Sequence, residues 1–60
     1  MKVHDIVHFK TDKPGREVLG RVIAVNARAH RVTVTWETNK MTEELSKNLM
    51  LWEPPEHENY

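Results

Sequence analysis

Val18 to Glu37, VLGRVIAVNARAHRVTVTWE, is the stretch that decides the fold. In its second half Val32, Val34 and Trp36 alternate with Thr33, Thr35 and Glu37, the two-residue period of a strand with one face buried and the other in water. Glu17 to Asn26 reads as the strand before it, with an irregular apolar spacing: Val22 and Val25 stand three apart, with Ile23 and Ala24 between them. An extra residue in the ladder absorbs such a spacing, and Gly20, costly inside a regular strand, suggests a bulge or a sharp bend. Asn26 to His30, NARAH, connects the two strands, with Asn26 suited to a left-handed conformation or to capping the turn. The result is a hairpin whose flanking segments have the length to wrap it into a small barrel.

Upstream, Lys2 to Lys10 reads as a first strand with Val3, Val7 and Phe9 on one face and His4, Ile6, His8 and Lys10 on the other. Thr11 to Arg16, TDKPGR, is the first loop, since Pro14 presets its φ and Gly15 accepts a positive one. Downstream, Thr38-Asn39-Lys40 is a tight turn with Asn39 as the residue suited to positive φ, and Met41 to Leu45 is a fourth strand. Ser46 to Leu49 reads as one helical turn capped by Ser46, and Met50 to Glu53 as the last strand. Pro54-Pro55 ends all ladder pairing, because neither residue has an N–H. The expected organisation is one domain over residues 1–53 and a disordered acidic tail over 54–60. The inward set is Val3, Val7, Phe9, Val22, Val25, Val32, Val34, Trp36, Leu45 and Leu49.

Sixty residues without cysteine bury a marginal core and have no disulfide or thiolate metal site to staple it, which favours oligomerisation or docking on a partner. No charged-then-apolar leader and no long apolar run is present, so the expectation is a cytoplasmic protein that neither crosses nor binds a membrane. Nine basic residues balance nine acidic ones, but all nine basic residues precede Glu53, and Glu53, Glu56 and Glu58 follow. The body is mildly positive and the tail acidic, a weaker asymmetry than dedicated nucleic-acid binders carry.

Five short strands, a turn-rich first loop, tight hairpins in the middle and a helical turn before the last strand resemble the SH3-like barrel, in its Tudor-like and KOW-like branches. The resemblance covers Val3 to Trp52. It rests on Val3-His4-Asp5-Ile6-Val7-His8-Phe9, similar to an opening strand that commonly reads V-G-D-x-V-x-F, with His4 where glycine is usual. Gly20-Arg21-Val22, Val32-Thr33-Val34-Thr35-Trp36 and Leu45-Ser46-Lys47-Asn48-Leu49 complete it. These are scaffold positions, and a shared fold carries no function with it. Tudor-like relatives hold methylated lysine or arginine in an aromatic cage; here only Trp36 falls on a cage-bearing strand, which is too few aromatics for a cage.

Two surfaces remain. Ile6, Leu19, Ile23, Met41, Met50 and Trp52 exceed what so small an interior needs, and their cluster would form an apolar surface for a protein partner or a second copy, or else cover the open end of the barrel. Lys10, Lys13, Arg16, Arg21, Arg28 and Arg31 offer the alternative, a patch that contacts nucleic-acid phosphates, as the KOW-like resemblance also implies; their bland reading is solubilising charge. No aromatic is interleaved among them for base stacking. His4 and His8 share a strand face about 13 Å apart, too far for one zinc, and no metal or other cofactor is expected. Glu43 and Glu44 are adjacent on a strand and point to opposite faces, so they form no acid–base pair; no catalytic residue and no small-molecule substrate is expected.

Overall fold

A computed structural model describes residues 1–53, and the acidic tail expected at 54–60 lies outside them. The elements are β1 (Ile6–Phe9), β2 (Gly20–Asn26), β3 (Arg31–Trp36), β4 (Met41–Leu45), a 3-10 turn (Ser46–Asn48) and β5 (Leu49–Leu51). They form one antiparallel sheet in the order β4-β3-β2-β1-β5. The chain is all-β, as expected, with the helical turn before the last strand. β4 and β5 stand at the two ends of the order, and no ladder joins them among the described residues, so strand pairing alone does not close a barrel.

The alternation read from β3 sets the core. Val32, Val34 and Trp36 are buried, together with Val7, Val22 and Leu49, and Phe9 packs against this cluster. A register shift between Val22 and Ala24 makes Ile23 the extra residue of β2. The irregular spacing of the valines is therefore a bulge, but its site is Ile23 and not Gly20. Gly20 pairs regularly with Val7 and Trp36, and its lack of a side chain serves packing. A Cβ there would collide with Val34 Cγ1 and lie 2.7 Å from Trp36 Cε3.

Turn chemistry accounts for the connections. Asn39 takes φ +69°. In the NARAH connection Asn26 caps, its Oδ1 accepting the Ala29 N–H at 3.2 Å, while His30 takes the left-handed conformation at φ +56°. His4, at the position where the resemblance calls for glycine, has φ +81° and donates its N–H to Val22 O at 2.7 Å. A turn closed by the Asp5 N–H on Lys2 O precedes β1, so the first strand is shorter than Lys2 to Lys10, and Val3, inside that turn, is 44% exposed. Val25 keeps the inward register, opposite Val32, but is 42% exposed near the end of its ladder. Neither valine joins the buried core, and Leu45, opposite Arg31, lies on the outer face and is half-buried. Ser46 does not cap its turn; its N–H and Oγ both donate to His30 O, tying the 3-10 turn to the β2–β3 hairpin.

Gly20→Ala is expected to cost about 2–3 kcal/mol by overpacking, most of the roughly 3–5 kcal/mol that a single small core supplies. Gly15→Ala has open space around it and pays only about 1 kcal/mol for its positive φ. Urea titrations followed by circular dichroism check this: the Gly20 variant should lose most of its folded baseline, and equal midpoints for the two variants would contradict it.

Candidate functional site

Antiparallel pairing places Ile6 beside Arg21, Arg21 beside Thr35 and Thr35 beside Met41, one row across the face opposite the core. Trp52 joins this row at its β1 end, its N–H donating to Ile6 O at 2.8 Å. Leu19 enters from the segment before β2 and is held by Glu37, whose Oε2 accepts the Leu19 N–H at 3.2 Å while its own N–H donates to Leu19 O at 2.9 Å. Between them lies a shallow, mainly apolar groove of about 360 Å³, lined by Ile6, Leu19 and Trp52 together with Gly20 and Trp36. Arg21, Thr35 and Glu37 give it a polar rim.

Of the six residues expected to form an apolar surface, the fold brings Ile6, Leu19 and Trp52 together, with Met41, 63% exposed, next in the row beyond Thr35. Ile23 sits apart in the bulge, and Met50 lies beside His8 on β5. Gly20 was read from the sequence only as a bend, and Thr35 and Glu37 only as outward residues of the third strand. Their place in the groove was present only in the register, which brings the end of β3 beside the start of β2. Leu51, 51% exposed, was likewise missed.

The six basic candidates, Lys10, Lys13, Arg16, Arg21, Arg28 and Arg31, are all exposed. Arg21 lies at the groove end of β2, whereas Arg31 pairs with Asn26 at its other end, about 17 Å away at strand spacing. No aromatic residue separates the basic groups of the hairpin.

The core-side face of β4 is polar. Thr42 lies opposite Val34 and Glu44 opposite Val32, and Thr42 Oγ1 accepts the Trp36 Nε1–H at 2.8 Å. Phe9 and Trp36 stack with centroids 5.0 Å apart and planes 12° from parallel. Rings stacked on each other give up one face each and do not converge on a third object, as an aromatic cage must. A second depression, about 320 Å³, lies over these rings beside Asp12 and Glu44. His8 Nδ1 lies 2.8 Å from Phe9 O, and no cluster of three metal-ligating side chains occurs among the described residues. No helix among them is long and apolar enough to cross a membrane.

The chain matches no family model, no curated protein and no solved structure. The geometry therefore carries the functional reading by itself. What the groove offers chemically is desolvation of an apolar side chain against Trp52, Leu19 and Ile6, with hydrogen-bonding groups on the rim to orient it.

Trp36 ties this surface to the core. Thr42→Val, which removes the acceptor of its indole N–H, is expected to cost about 1–2 kcal/mol and to alter the tryptophan near-ultraviolet circular dichroism. Wild-type stability in a denaturant titration would contradict that role for the bond.

Proposed function

We propose that this protein is a non-catalytic interaction module of the SH3-like type, closest to the Tudor-like and KOW-like branches, which works in the cytoplasm by binding another protein. The fold part of this reading is supported by the strand order β4-β3-β2-β1-β5 with a 3-10 turn before β5, and by the positive φ of His4 where the opening motif asks for glycine. The binding part rests on one observation: Ile6, Leu19 and Trp52, from three separate segments, line one apolar groove on the face away from the core. Apolar side chains gathered at one place, rimmed by polar groups and supported by a rigid sheet, suit a partner's apolar anchor.

Nucleic-acid binding through Lys10, Lys13, Arg16, Arg21, Arg28 and Arg31, alone or beside transcription or translation machinery, is the second reading. It is favoured by the exposure of all six side chains. It is weakened by their spread over the first loop and the whole length of the hairpin, and by the lack of stacking aromatics among them.

The two readings differ in salt response. Phosphate contacts release counterions and weaken steeply with salt, whereas apolar contacts hold or strengthen. Sedimentation velocity with a mixed RNA and DNA pool at low and high salt is expected to show no gain of mass in either condition. A complex that forms with the pool at low salt and dissociates at high salt would reverse the order of the readings.

A further inference from the structure

The two edges of the sheet are unlike. β4 carries Glu43 and Glu44, which would face like charges if two β4 edges paired. β5, LML, carries no charge, and Met50 and Leu51 are 46% and 51% exposed. Its backbone has a definite polarity. The Lys10 N–H donates to Asn48 O and the Trp52 N–H to Ile6 O, so by strand alternation Asn48, Met50 and Trp52 direct their backbone groups to β1, and Leu49 and Leu51 direct theirs away. The Leu49 N–H is taken up by Ser46 O. Among the described residues, this leaves the Leu49 carbonyl and both backbone groups of Leu51 at the open edge.

We infer that β5 pairs antiparallel with β5 of a second copy of this chain, on a two-fold axis through Met50, extending the sheet across a weak dimer. This rests on the protein-binding reading above and names one partner and the edge it uses. An axis at Met50 sets Leu49 opposite Leu51 of the partner copy, so each Leu51 N–H reaches the one free carbonyl facing it, and the occupied Leu49 N–H is not required. The same axis has charge complementarity: Lys47 lies in the 3-10 turn just before β5 and Glu53 just after it, so the positively flanked end of each strand meets the negatively flanked end of the other. Pro54-Pro55 offers no further N–H, which confines the pairing to β5. So short an edge buries little area, and the association is accordingly weak and concentration-dependent.

The test is the solution mass of the full chain by sedimentation, with amide spectra by NMR, from about 10 μM to about 1 mM, the range for small interfaces. The expected result is a monomer–dimer equilibrium with concentration-dependent shifts at Leu49, Leu51 and Glu53. Met50→Lys, at an exposed position, places two ammonium groups at the axis and should weaken dimerisation by about tenfold or more. Lys47→Glu and Glu53→Lys should each weaken it by about threefold, and the double exchange K47E/E53K should restore it. The wild type remaining monomeric at the top concentration, or failure of the double exchange to restore association, would overturn the β5 pairing. A dimer insensitive to Met50→Lys but abolished by Leu19→Lys would overturn it while leaving the groove reading in place, whereas complexes formed only with nucleic acid would remove both.

Discussion

Trp36 lies against Gly20 on the neighbouring strand, stacks on Phe9 and donates its indole N–H to Thr42, so one side chain links β1, β2, β3 and β4. The contact with Gly20 is the one that admits no substitute. Any Cβ would meet Val34 and the indole at once, and the sheet would have to open to accommodate it. With only Val7, Val22, Val32, Val34, Leu49 and Trp36 as buried apolar side chains among the described residues, such a core has little spare cohesion. Its integrity depends on close fit more than on buried area.

The same contact shapes the outside. Gly20 and Trp36, packed together in the core, also line the groove, and Leu19 is held at it by its paired hydrogen bonds with Glu37. Surface and core are therefore two sides of one packing arrangement. A partner inserting an apolar side chain at Ile6, Leu19 and Trp52 would touch an element that is already fixed, so little ordering entropy opposes binding there. The sheet edges act differently: β4 repels its like through two carboxylates, and β5 presents an uncharged strand limited to three residues.

Much of this was legible in the sequence where local chemistry alone decides conformation. Alternation over Val32 to Trp36 specifies β3, Asn39 fixes the turn after it, and the three-residue spacing of Val22 and Val25 demands an extra residue in β2. Ile6, out of phase with Val7 and Phe9, was legible as an apolar residue on the outer face. Other features depend on which residues become neighbours. Val3 and Val25 look like core valines, but Val3 falls in a turn, and Val25, although opposite Val32, lies near the end of its ladder and is exposed. The inward face of β4 carries Thr42 and Glu44, a pattern that period-two reading cannot distinguish from an outward face. Gly20 reads as a bend until Trp36 is found against it, and the groove exists only where Ile6, Leu19 and Trp52 converge.

The most direct measurement is the chemical shift and cross-relaxation of the Gly20 α-protons by NMR. The α-proton in the Cβ position points at the six-membered ring of Trp36, since a Cβ there would be 2.7 Å from Cε3 and 3.0 Å from Cδ2. That proton should resonate well away from the position of an ordinary glycine and show strong cross-peaks to the Trp36 ring, which stacks on Phe9. A Gly20 resonance at its ordinary position, with no cross-peak to Trp36, would mean that neither the core nor the groove is organised around this contact.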